Sequence, residues 1–175
     1  MRLGLKRDDI RLVEYTPKWK EEFGRVKQAI LKSTPIPENR IEHIGSTSIK
    51  GMVAKPILDV IVGVDDLDNV NESIFEGFKE IGFLRLRVHG PNEIVLAKFS
   101  DDTYEEKTHF IHLVDYGKKL WKDLIFFRDY LNANESARVK YSSLKKEFLN
   151  KHKGDIKAYT DYKESFVKEI FRKRK

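Results

Sequence analysis

The chain contains no cysteine, which removes disulfides, thiol catalysis and thiolate-bound zinc from its chemistry. With only 5 prolines and 10 glycines in 175 residues, it is neither collagen-like nor of low complexity. No apolar run approaches the roughly 18 residues of a membrane-spanning helix. The opening Met1-Arg2-Leu3-Gly4-Leu5-Lys6-Arg7-Asp8 lacks the apolar stretch of a signal peptide. These absences set the expectation of a cytoplasmic protein without a membrane partner. What is present is a globular composition, 40% hydrophobic and 35% charged, unlike that of a disordered chain. The length suits one domain, and folding at this size removes about 70% of the extended chain's surface from water, so a structural metal is not needed for stability.

The net charge of +6 is unevenly spread: residues 151 to 175 hold 9 Lys and Arg against 4 Asp and Glu, leaving an excess of one for the first 150. Cations at the end of a C-terminal helix sit favourably at the negative end of its dipole. Phe171-Arg172-Lys173-Arg174-Lys175 therefore reads as a solvated helix end rather than a nucleic-acid contact, and nucleic acid is not expected as a partner. The oligomeric state is left open.

Hydrophobic spacing divides the chain into strands and helices in alternation, followed by helices alone. Ile10 to Tyr15 alternates weakly like a strand, and Thr16-Pro17 offers a cap and a proline for a helix carrying Trp19, Phe23, Val26 and Ile30 to about Ser33. Arg40 to Ile44 is a short strand, and β-branched Ile57 to Val64 reads as a strand buried on both faces. Val70, Ile74, Phe78 and Ile81 form a helical stripe stopped by Gly82. Strands follow at about Phe83 to Val88, Glu93 to Phe99 and Lys107 to Val114, with His89-Gly90-Pro91-Asn92 turning between the first two and antiparallel pairing expected. Beyond Lys118 the period is helical, with stripes Leu120, Leu124, Phe127, Leu131, then Ala137, Tyr141, Leu144, Phe148, then Tyr159, Tyr162, Phe166, Ile170. The fold class is α+β, a mixed sheet with helices and a C-terminal helical part packed against it.

The chemistry concentrates in Ile41-Glu42-His43-Ile44-Gly45-Ser46-Thr47-Ser48 and Ala54-Lys55-Pro56-Ile57-Leu58-Asp59-Val60-Ile61-Val62. A strand ending in Gly45-Ser46 lets backbone N–H groups approach an anion, with the hydroxyls of Ser46, Thr47 and Ser48 as further donors. The segment matches neither a P-loop nor a dinucleotide fingerprint. Asp59 lies within an apolar run, where an unpaired carboxylate is costly. It requires a salt bridge, to Lys55 or to an Arg of the helical tail, or a role in holding Mg²⁺ or a ligand hydroxyl opposite the Gly-Ser bend. Arg128, beside an apolar stripe, calls for an acid such as Asp59 or a ligand phosphate. Tyr141, Lys145, Tyr159 and Lys163 offer aromatic faces and ammonium groups for the other wall of a cleft, although tyrosines at helical spacing also suit a core.

These residues resemble the GrpB family. Glu42 to Ser48 and Ala54 to Asp59 carry the resemblance, together with Tyr15-Thr16-Pro17 and Trp19, Thr108-His109 to His112, Phe127-Arg128-Asp129-Tyr130-Leu131, and the Tyr141, Leu144-Lys145, Tyr159 and Lys163 positions. The resemblance implies one domain over residues 1–175, with a sheet-containing part to about 115 and packed helices over about 118–173. It also implies the nucleotidyltransferase type of fold, in which a Gly-Ser on one strand end faces an Asp-x-Asp or Asp-x-Glu on the next. Those enzymes use two Mg²⁺ ions to move a nucleoside monophosphate onto an acceptor hydroxyl. Asp59 stands as the first carboxylate, the catalytic and metal-binding candidate, but Ile61 occupies the second position on the same strand face. Lys50-Gly51, where the family usually has Pro-Gly, and Phe110, where a histidine is common, are further departures.

On a regular strand His109 and His112 face opposite ways, and the resemblance favours His112 for the cleft. A trio of His43, His112 and Asp59 holding zinc or manganese is an alternative to hydrogen-bonded structural histidines. His89 and His152 carry no functional argument. The implied ligand is a nucleotide or phosphorylated metabolite, bound by His43, Gly45, Ser46, Thr47, Ser48, Lys55, His112, Arg128, Tyr141, Lys145 and Lys163. Two outcomes stay open: Mg²⁺-dependent nucleotidyl transfer, or a regulatory domain that binds a nucleotide or coenzyme A precursor and has lost the second carboxylate. GrpB-like domains joined to dephospho-CoA kinase suggest the coenzyme A ligand class.

Overall fold

The computed structural model describes residues 2–6, 9, 11–87, 90–151 and 156–174. Ile10, Val88, His89, His152 and Lys175 lie outside the described residues. Strand β1 (Leu5–Lys6) precedes helix α1 (Lys18–Ser33), and β2 (Ile41–Ile44) and β3 (Leu58–Val64) precede α2 (Glu72–Glu80). Strands β4 (Phe83–Arg85), β5 (Ile94–Phe99) and β6 (Glu106–Asp115) follow. Helices α3 (Lys119–Ala133), α4 (Glu135–Lys151) and α5 (Ile156–Phe171) complete the chain.

Where the sequence suggests a strand over Ile10 to Tyr15, the described residues 11–15 have a single antiparallel bridge, Val13 to Ala54. The first strand pairing is instead made by Leu5 and Lys6 with Lys107 and Glu106. A weak alternation becomes a strand only if a free edge lies alongside it, which local spacing does not reveal. Helix α1 begins just after Pro17, whose φ of −61° already fits a helical turn. Thr16 supplies only a 3.4 Å contact to the Lys18 N–H. Asn71 caps α2 by accepting from the Ser73 N–H at 2.9 Å.

The sheet order is β2-β3-β6-β5-β4, with β1 joined to the early end of β6. Only β3 and β6 run parallel; every other named pair is antiparallel. Period-two alternation then gives the sheet two faces. Leu58, Val60, Val62 and Val64 of β3, with Ile111 and Leu113 of β6 and Leu96 of β5, pack against Val26 and Ile30 of α1 and Phe78 of α2. The opposite face carries Ile44, Ile61 and Val114, covered by Trp121 with Leu120, Leu124 and Ile125 of α3. A separate cluster joins Phe127 and Leu131 of α3, Tyr141 of α4, and Phe166 and Ile170 of α5 to Ile49 and Met52 of the loop after β2. That loop therefore belongs to the helical layer as much as to the sheet.

Two stripes differ from the sequence reading in a way that bears on function. On α4 the buried positions among the described residues are Ala137, Tyr141, Lys145 and Phe148, with Leu144 only half-buried. On α5, Tyr159, Phe166 and Ile170 are buried, Lys163 is half-buried, and Tyr162 is exposed. Each helix thus turns a Tyr-x-x-x-Lys-x-x-Phe face inward, and a lysine occupies a place in each apolar stripe.

Candidate functional site

Strand β2 delivers the chain to Gly45, whose φ of 70° and ψ of −175° belong to a backbone region that only glycine adopts readily. A Cβ at this position would lie 2.4 Å from Asp59 Oδ2, so the missing side chain also lets the carboxylate rest against the bend. The register fixes that meeting, because Ile44 pairs with Asp59. A 3₁₀ turn over Ser46–Ser48 follows.

Its three hydroxyls point to different partners. Ser48 Oγ donates to the Gly45 carbonyl at 2.6 Å and closes the turn. Thr47 Oγ1 meets His43 Nε2 at 2.9 Å. Ser46 Oγ alone faces the helical layer, where it accepts from Lys145 Nζ at 3.0 Å. Lys145 also donates to the Val53 carbonyl, and its ammonium lies 4.6 Å from the Tyr141 ring centroid. The side chain is 1% exposed.

The α5 counterpart repeats this arrangement. Lys163 Nζ sits 4.2 Å from the Tyr159 ring centroid, and Lys55 Nζ reaches the same ring at 4.5 Å. Burial pushes Lys145 down to about 7, with the Lys163 charge adding to it. Burial likewise lowers Lys163 to about 8, helped by Lys55 and opposed by Asp59. Lys55 is lowered by burial against the attraction of Asp59. Lys163 thus lies within charge range of both Lys145 and Lys55, and Asp59 attracts Lys55 and Lys163.

Asp59 is not sealed inside the protein, since its side chain keeps 29% exposure. Its ion pair is with His112, Nε2 to Oδ1 at 3.4 Å, while His112 Nδ1 meets Glu93 Oε2 at 2.8 Å. Burial opposes the imidazolium, but the hydrogen bonds and charges of the two carboxylates outweigh it and hold the ring up at about 9. Parallel pairing sets Ile61 beside His112 and Asp59 beside Phe110, so His112 shares the face of Asp59. His109 lies on the other face, bonded to Thr108 Oγ1 at 2.8 Å and Glu22 Oε1 at 3.2 Å.

Besides Thr47 and Ser48, two expected site residues lie apart from this cluster. His43 faces α1, stacked on Phe23 at 5.0 Å, and burial lowers it to about 4 despite the pull of Asp59. It stands across the sheet from His112, and no trio with Asp59 and His112 forms. Arg128 is occupied by Glu42 at 2.7 Å, the His43 carbonyl at 3.0 Å and Asp129 at 2.8 Å, rather than by Asp59. It joins α3 to β2 beneath the Gly45 bend. Lys50, in the loop beyond the turn, gives its N–H to Asn132 Oδ1 at 3.0 Å, and Asn132 donates back to the Ser48 carbonyl at 3.2 Å.

Residues 9–173 match the family model described as GrpB protein. The chain belongs to the GrpB family. Its similarity to the glutamate-rich protein GrpB of Alkalihalophilus pseudofirmus is 40% identity over 169 residues, covering 96% of this chain and 97% of that one. The crystal structure of the conserved protein GrpB from Enterococcus faecalis superposes with a TM-score of 0.78 at 30% identity, over 93% of this chain and 96% of the other. Outside the GrpB proteins, the Cid1 poly(U) polymerase with Mg 3′-dATP bound gives a TM-score of 0.53 at 14% identity, over 85% of this chain and 49% of that one. That last likeness shows a fold related to the nucleotidyltransferases and nothing further.

Within this GrpB chain, Glu93, Glu42 and Asn132 escaped the sequence reading. Glu93 stands just before β5, two residues from Val95, which pairs with His112, so the alternation places it on the face of Asp59 once the β5–β6 register is known. The repeated Tyr-x-x-x-Lys-x-x-Phe spacing was visible in the sequence. Reading its lysines as members of the buried stripe would have found the cationic cluster directly.

Proposed function

We propose that the chain binds the phosphate groups of a nucleotide or phosphorylated metabolite between the Gly45-Ser46 bend and the ammonium groups of Lys55, Lys145 and Lys163. One observation carries this reading: among the described residues, Lys145 is buried against neutral oxygens, and neither it nor Lys163 forms an ion pair with a carboxylate. Buried cations are stable when paired, and a phosphate supplies the missing anion along with charge-assisted hydrogen bonds. Lys55 and Lys163 bracket Tyr159 at the same end of the sheet, which favours a ligand with more than one phosphate oxygen to share.

The residues do not fit a two-magnesium clamp. Ile61, wholly buried under Trp121, stands where the second carboxylate would, and among the described residues no group of three or more His, Asp or Glu side chains is arranged to hold a metal. No transfer step is therefore assigned to Asp59, which acts in this reading as the acceptor that orients His112 and attracts Lys55 and Lys163.

A thermal-shift series with nucleoside di- and triphosphates, pyrophosphate and phosphorylated coenzyme A precursors tests the proposal. A compound at 100 times its dissociation constant should stabilise the chain by about 2.7 kcal/mol. The Lys145→Met variant should fold, with an apo stability equal to or above the parent's because a buried ammonium has been removed, yet lose that shift. If no phosphorylated compound shifts the parent chain, the proposal fails.

A further inference from the structure

We infer that this site takes its phosphorylated ligand without a divalent metal, the countercharge coming from lysine ammonium groups while His112 occupies the carboxylates a metal would need. The inference rests on the phosphate-binding reading above and goes beyond it by fixing the form of the ligand, a metal-free polyphosphate anion rather than its magnesium complex.

Magnesium is a hard cation that requires oxygen ligands in near-octahedral array. On the sheet face at the site, the two carboxylates near each other are Asp59 and Glu93, and a single imidazole spans them, Nε2 to Asp59 at 3.4 Å and Nδ1 to Glu93 at 2.8 Å. A ring with a carboxylate oxygen at each nitrogen donates from both, and so carries the positive charge itself. The imidazolium thus stands between the two acids as a bound cation would. The second strand position offers no oxygen, because Ile61 is wholly buried with Ile44, Val114 and Trp121.

The opposite wall strengthens the case. Lys145 reaches Ser46 Oγ at 3.0 Å, and Lys55 and Lys163 lie within 4.5 Å of the Tyr159 ring centroid. Ammonium groups so placed repel a divalent cation and attract its usual ligand. With three lysines and one imidazolium set against Asp59, Glu93 and the Asp9 that attracts Lys55, cations still outnumber carboxylates, and the site favours a free polyanion over one already neutralised by metal.

The experiment is isothermal titration calorimetry of the intact chain with ATP and, separately, inorganic pyrophosphate, in excess EDTA and in excess magnesium. The expected result is affinity in EDTA equal to or tighter than in magnesium, since the metal competes with the lysines for phosphate oxygens. Weaker binding in EDTA than in magnesium overturns the inference while leaving the phosphate-binding reading intact. Absence of binding under both conditions overturns the two together. Lys163→Met should weaken binding at least about tenfold in EDTA; an unchanged affinity would also sink the inference. A manganese titration of the ligand-free chain, followed by electron paramagnetic resonance, should leave the ion in its free form. A bound signal that vanishes in Asp59→Asn would count decisively against the proposal.

Discussion

Gly45 owes its identity to two neighbours at once, the backbone bend and the Asp59 carboxylate. Its φ of 70° with ψ of −175° is strained for any L side chain, and a Cβ would press within 2.4 Å of Asp59 Oδ2. Gly45→Ala should therefore cost about 1 to 3 kcal/mol in urea unfolding and displace Asp59 enough to reduce the ligand-induced thermal shift. A neutral substitution would mean the bend can relax without moving the carboxylate. The sequence showed that Asp59 needed a partner, because a carboxylate in an apolar run is costly. It could not show that the partner is His112, which lies 53 residues away and meets it only through the parallel β3–β6 pairing.

Helices α1 and α2 approach closely enough that a Cβ on Gly77 would lie 2.1 Å from the Ser33 carbonyl oxygen. Alanine in a helix interior normally gains up to about 1 kcal/mol over glycine. Here Gly77→Ala should instead destabilise by about 1 to 3 kcal/mol, because the obstacle is backbone and the helices must separate. Chemical denaturation gives the sign directly, and a gain in stability would contradict the contact. The helices themselves were legible from their spacing, to within a few residues of Lys18–Ser33 and Glu72–Glu80. Short strands were less so: β1 has two residues and no pattern of its own, while Ile10 to Tyr15 alternates without a strand to pair with. On α4 and α5 the period was right, but membership of the stripe was assigned by hydrophobicity. The lysines at positions 145 and 163 were thereby set beside the stripe instead of within it.

Lys55 precedes β3, Lys145 stands on α4 and Lys163 on α5, so their shared site exists only when the helical layer closes over the sheet. In the proposed phosphate site this assembly should make binding depend on pH. Lys145 and Lys163, lowered to about 7 and about 8, lose protons from the empty site that a bound phosphate would restore. Binding should take up protons, and affinity should fall as pH rises from about 7 to about 9, by up to tenfold per unit per lysine. Over that range a terminal phosphate, with a second pKa of about 6, is already a dianion, so the trend belongs to the protein. Calorimetry in buffers of different ionisation enthalpy measures the uptake; affinity independent of pH would show that neither lysine meets the ligand.

The α+β class, the run of strands and helices, the Gly45-Ser46 bend and the exceptional Asp59 all follow from composition and spacing, because a residue's neighbours along the chain already fix its backbone preference and its face. Which charges meet does not follow, since Coulomb attraction and burial act through space. Strand register brought Glu93 and His112 to Asp59 and sent His109 to the far face with Glu22. Packing of α4 and α5 then set Lys145 and Lys163 over their own tyrosines, and burial there lowered both below the ordinary lysine range, so that each would hold its charge more firmly with an anion beside it.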